Sequence, residues 1–109
     1  MKTGTIVIAL FPYTDLISFK ARPAVVVAQT DDSYKDIIVC MITSVVSQPL
    51  SSQQLLIYPT PNNQLKSTSV IKVSRIVTVE KEKVAATIDE LDAEDILLFK
   101  EKFKSIVDS

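Results

Sequence analysis

Pro23-Ala24-Val25-Val26-Val27-Ala28-Gln29 and, across the polar residues 30–35, Asp36-Ile37-Ile38-Val39-Cys40-Met41-Ile42-Thr43 decide the fold of this chain. Both are apolar runs rich in β-branched residues and bounded by turn formers, which is how two strands of one hairpin read. Antiparallel pairing sets the start of the first against the end of the second, so Arg22, just before Pro23, meets Thr43 at one end of a sheet. Neither run alternates apolar with polar residues, as a strand with one wet face does. Both faces of these strands must therefore be covered.

Working outward, residues 5–11 form another β-branched strand that stops at Pro12, and residues 12–21 form a long loop. A short strand at 55–58 ends against Pro59 and Pro61, residues 59–68 are loop, and residues 70–80 are one long strand or two short ones. Asp92 then reads as a helix N-cap, with Glu94 and Asp95 placed favourably in the first turn. The helix runs to about residue 107. Its Ile96, Phe99, Phe103, Ile106 and Val107 recur at spacings of three and four, which makes one apolar face for docking. The expected fold is mainly β: a small barrel covered by a C-terminal helix, with residues 1–109 as a single domain. One helix covers too little of the apolar strands, so a homodimer is expected to bury the rest.

At 109 residues the chain suits one hydrophobic core, and 47% hydrophobic against 23% charged residues excludes a disordered chain. A net charge of −1 leaves no global footprint for nucleic acid, so any such contact needs a local basic patch. With no histidine and the single cysteine Cys40 inside an apolar run, the usual zinc sites and the Ser-His-Asp and Cys-His nucleophiles are excluded, and no cofactor is implied. The apolar start at 5–11 is followed by Pro12-Tyr13-Thr14-Asp15 and no cleavage site, so it reads as a strand and not as a signal peptide. No apolar run approaches the roughly 20 residues of a membrane span, and a cytoplasmic protein is expected.

The candidate chemistry is sparse. Arg22, held extended by the following proline, is either a solvated strand-edge cation or a guanidinium fixed to grip a phosphate with two hydrogen bonds. Thr43 and Ser44 close an apolar strand, where their hydroxyls either cap a turn or face a ligand. Arg75 interrupts Ile71, Val73, Val77 and Val79 on one face of an extended chain, so a bulge turns it outward or it points into a polar site.

Three segments carry a resemblance. Residues 4–16 with Lys20-Ala21-Arg22-Pro23-Ala24-Val25-Val26-Val27, then residues 36–44, then Ser69-Val70-Ile71-Lys72-Val73-Ser74-Arg75-Ile76-Val77-Thr78-Val79-Glu80-Lys81, resemble in order and spacing the blocks of MazF/PemK toxins. The resemblance implies an SH3-like barrel shared with CcdB toxins, a homodimer, an antitoxin partner with an acidic disordered tail, and metal-independent cleavage of single-stranded RNA. By position it implies Arg22 and Thr43 as catalytic residues and Lys20, Ser44, Lys72 and Arg75 along the RNA path, with Tyr13 or Phe19 stacking on a base. Thr5 stands where the family often has Asp, Ser74 where some members have an acid, and no histidine occupies the first loop. A non-catalytic CcdB-like toxin and an SH3-like protein-binding module are the alternative readings.

Overall fold

The computed structural model describes residues 1–12 and 18–108. Tyr13 and most of the first loop fall outside them. Six strands form one antiparallel sheet: β1 (Thr5–Pro12), β2 (Phe19–Gln29), β3 (Ile37–Thr43), β4 (Gln54–Ile57), β5 (Ser69–Val79) and β6 (Val84–Glu90), in the spatial order β4-β5-β3-β2-β1-β6. A short 3-10 turn, Lys81–Lys83, precedes β6, and helix α1 (Ala93–Val107) closes the chain. No pairing joins β4 to β6 among the described residues, so the sheet is curled but open. The mainly β fold with a terminal helix is the one expected.

The unbroken apolar runs are explained by two cores on opposite faces of the sheet. Ile6, Val25, Cys40, Ile42, Ile71 and Val73 bury on one face under Phe99 of α1. Their chain neighbours Val7, Ala24, Val26 and Val39 bury on the other with Phe11, Ile37 and Val79. Alternation along each strand is intact, but both sets are apolar. Val7, Ala24, Val26 and Val39 are fully buried within one chain. The strand runs therefore do not need a second copy to cover them, which removes the premise from which the dimer was expected.

The helix docks Ile96, Phe99, Phe103 and Ile106 on the first core. Val107, assigned to the same face, is 69% exposed and is not part of that contact. Asp92 is the N-cap residue, yet its carboxylate caps no backbone amide and instead accepts a hydrogen bond from Asn62 Nδ2 at 2.6 Å. Gly4 makes the approach of α1 possible. Its φ is +94°, and a Cβ there would sit 2.7 Å from Ile96 Cγ1. Its N–H donates to the Val26 carbonyl and its own carbonyl accepts from Leu91, both at 2.9 Å, so it ties β2 to the start of the helical segment.

Strand β6 is the element that sequence reasoning missed. Its Val-Ala-Ala-Thr-Ile-Asp-Glu mixes three strand formers with four residues depleted in strands, and pairing with β1 holds it in place through two register shifts.

Cys40 is a core residue, as its surroundings in the sequence implied. It is fully buried, its Sγ lies 3.4 Å from the Val73 carbonyl, and burial pushes its thiol up to about 12. A thiol that stays protonated in the folded chain but ionises from about 9 when unfolded stabilises fully below that value and loses its contribution as pH rises towards 12. Denaturant titrations of wild type and Cys40→Ala should therefore differ by an amount that falls by up to about 1.4 kcal/mol per pH unit in that window. Native Cys40 should resist a thiol reagent at pH 8 and react at once in denaturant.

Candidate functional site

The site begins where strands part. Arg22 lies opposite Ala9 of β1, and the pairing of β2 with β3 stops at Ala24–Met41. Pro23 has no N–H to continue the ladder. Two residues beyond the last pair, the same register carries Arg22 towards Thr43, which ends β3 opposite Val70 of β5. The parting of these strands leaves a cleft of about 560 Å³, within the usual range of ligand sites.

Strand β5 supplies the opposite wall through a break in its pairing. Cys40 faces Ile76 while the next residue, Met41, faces Lys72, so Val73, Ser74 and Arg75 are extra residues on β5. The break also changes which face the strand buries. Ile71 and Val73 join the first core, whereas Val77 and Val79 pack with the second. These four residues do not share one face, as an uninterrupted strand would require. Both alternatives for Arg75 hold together: it sits in a bulge, and the bulge delivers it to the cleft.

Of the residues singled out by sequence, Arg22, Thr43, Ser44, Lys72 and Arg75 line this one cleft. Lys20 does not; it lies two residues further along β2, opposite Phe11. Phe19 also stands apart, with the Lys83 ammonium 4.3 Å from its ring centre, and is 45% exposed.

Sequence reasoning missed Lys66 and Gln64, along with the hydroxyls of Ser67 and Ser69, all on or next to the loop between β4 and β5. The clustering of polar residues from Gln64 to Ser69 just before an apolar strand was the available signal. Ile88 of the unrecognised β6 forms part of the apolar floor with Ile8 and Met41.

The cleft's electrostatics are one-sided. Arg22, Lys66, Lys72 and Arg75 line it, and among the described residues no carboxylate, thiol or imidazole does. Among the described residues the ion pair present is Lys2–Glu90 at 3.0 Å, outside the cleft, so none of the four cations is neutralised at salt-bridge distance. Thr43 Oγ1 accepts the N–H of Val45 at 3.1 Å. This turn-capping bond uses a lone pair of the hydroxyl and leaves its proton to be donated. The arrangement suits an anion with several oxygens: guanidinium and ammonium groups for its charge, and a hydroxyl donor aimed by the backbone.

The family model described as PemK-like, MazF-like toxin of type II toxin-antitoxin system matches residues 2–107. Among solved structures, the Mycobacterium tuberculosis toxin MazF-mt6 aligns with a TM-score of 0.70 over 95% of this chain and 96% of its own, at 19% sequence identity. At that identity the likeness is one of fold. No curated protein sequence matches the chain.

Proposed function

Because the chain belongs to the PemK-like, MazF-like toxins of type II toxin-antitoxin systems, we propose that it is a metal-independent endoribonuclease that cleaves single-stranded RNA at the cleft between β2, β3 and β5. The observation that carries this reading is the meeting of Arg22, Thr43, Lys66, Lys72 and Arg75 around one cleft that no carboxylate lines among the described residues. A polyanion with regularly spaced phosphates fits four cations that have no ion-pair partner among those residues.

In the proposed reaction the ribose 2′-hydroxyl attacks the adjacent phosphorus. A 2′-oxygen–phosphorus bond forms, the bond to the 5′-oxygen breaks, and the products are a cyclic phosphate and a 5′-hydroxyl. Among the described residues no carboxylate or imidazole lines the cleft, so in this proposal the attacking hydroxyl gives its proton to water and the leaving oxygen takes one from water. The protein's part is electrostatic. The Arg22 guanidinium faces the oxygens of the doubly charged phosphorane. Thr43 donates its free proton to one of them, its orientation set by the Val45 amide. Lys72 and Arg75 hold flanking phosphates and Ser44 adds a hydroxyl donor at the rim. Lys20, outside the cleft, would meet only RNA that extends past it along β2.

A type II toxin works with an antitoxin protein, and an acidic segment laid across these cations would exclude RNA from them. We place the toxin in the cytoplasm; no described helix is long and apolar enough to cross a membrane. On family likeness alone, and not on uncovered strands, we also read it as a homodimer. Light scattering at micromolar concentration should give about twice the 12.1 kDa of one chain, and a monomer would remove that part of the proposal.

The function is tested by incubating long single-stranded RNA with the protein in EDTA. Wild type should give discrete fragments with 5′-hydroxyl ends, and Arg22→Ala and Thr43→Ala should each cut about 100- to 1000-fold more slowly. Lys66→Ala, Lys72→Ala and Arg75→Ala should weaken binding evenly across sequences, each flattening the logarithmic salt dependence by about 0.7. RNA left intact over a broad range of sequences would instead favour a barrel that binds protein.

A further inference from the structure

One residue in the cleft wall combines backbone strain with a side chain held from behind. Gln64 has a φ of +51°, a left-handed conformation that side-chain-bearing residues seldom adopt. Residues kept in such conformations cluster at binding sites, where the surrounding structure over-determines them.

The surrounding loop does so here. Asn63 is fully buried; its Oδ1 accepts the N–H groups of Thr60 and Leu65, each at 3.0 Å, and its Nδ2 donates to the Tyr58 carbonyl at 2.9 Å. The Gln64 N–H donates to the Thr60 carbonyl at 3.0 Å, and Asn62 is bonded to Asp92 at the head of the helix.

The exposed Gln64 side chain has one bond that orients it. Its Nε2 donates to Asp89 Oδ2 of β6 at 2.9 Å. A carboxylate only accepts, so this contact determines which end of the amide is nitrogen. Among the described residues, Oε1 and the second N–H of Nε2 have no partner, and Gln64 lines the cleft.

The other polar groups of the cleft are cations and hydroxyls, which suit phosphate and carry little information about sequence. A fixed amide differs, because it presents an acceptor beside a donor and so matches the hydrogen-bonding edge of a base. We propose that Gln64, oriented by Asp89, reads one nucleobase beside the phosphate held at Arg22 and Thr43, and so sets the sequence preference of this site at that position. The inference rests on RNA as the ligand, but not on its cleavage.

The experiment keeps the two apart. A random-sequence pool of 2′-fluoro RNA, which lacks the attacking hydroxyl, is equilibrated with the full chain in EDTA, and the bound fraction is sequenced. Wild type should enrich sequences with one sharply defined base. Gln64→Met, of similar length without the amide, should lose about 10- to 100-fold of that preference at the same position and keep the others. Gln64→Asn tolerates the left-handed backbone but falls a methylene short, and should lose it as well. Asp89→Asn retains an acceptor for Nε2 and should keep most of the preference, whereas Asp89→Ala should lose it. Enrichment unchanged in both Gln64 variants, or no enrichment by wild type, overturns the proposal. Unmodified RNA is assayed in parallel: cleavage without a Gln64-dependent base sinks only this inference, and Gln64-dependent enrichment without cleavage sinks only the ribonuclease.

Discussion

The change of phase in β5 is the constraint from which the site follows. An antiparallel strand that kept its register with β3 would bury the same alternate residues throughout, and Arg75 would then be a charge on a core face. The three extra residues at 73–75 release that conflict. The cost in backbone hydrogen bonds is small, because the amide of Val73 donates to the Gln53 carbonyl at 3.0 Å and its carbonyl meets the Cys40 thiol. One strand thus serves both cores, and the residue at its turning point is left facing the cleft.

The same economy shows in the charges. Overall the chain holds 13 acidic and 12 basic residues, yet four of the basic ones line one cleft and, among the described residues, none of the acidic ones does. Within a Debye length of about 10 Å such a local field outweighs a net charge of −1 spread over the whole surface. Placement of carboxylates matters as much as that of cations. Asp89 touches the cleft wall through the Gln64 amide, whose Nε2 it accepts a hydrogen bond from, and is not itself a lining residue.

How far the sequence could be read follows from where the information lies. Strands β1 to β3 and the helix were legible because their apolar content is dense and local: the runs around Val25 and Val39, and the three-four spacing of Ile96, Phe99 and Phe103. Strand β6 was not, because Ala85 and Ala86 say little about pairing and β1 supplies the missing preference from the far end of the chain. Arg22 and Thr43 could be brought together because hairpin geometry is a rule of register. Lys66 and Gln64 could not, because a loop has no period from which to infer where its side chains point; the buried Asn63 that fixes it resembles any other turn residue in sequence. The two-sided cores showed as unbroken apolar runs, but the runs alone did not distinguish cover by a second chain from cover by the curled sheet itself.

If the cleft works on RNA as proposed, the lack of an acid or imidazole among its described lining residues divides the labour. Proton transfer is left to water, so the protein's contribution lies in charge held in place before substrate arrives, and such charge acts only if it does not relax. The rigid parts of the site then have a chemical purpose: Pro23 holding Arg22 extended, the Val45 amide holding Thr43, and the Asn63 loop holding Gln64 against its own backbone preference. The same design makes the site easy to inhibit. Cations without internal partners attract any flexible acidic chain as readily as they attract phosphates, and a peptide that covers them needs no complementary shape in the apolar floor. Charge alone therefore cannot distinguish substrate from inhibitor, or one RNA sequence from another, and discrimination falls to the neutral, directional groups in the wall.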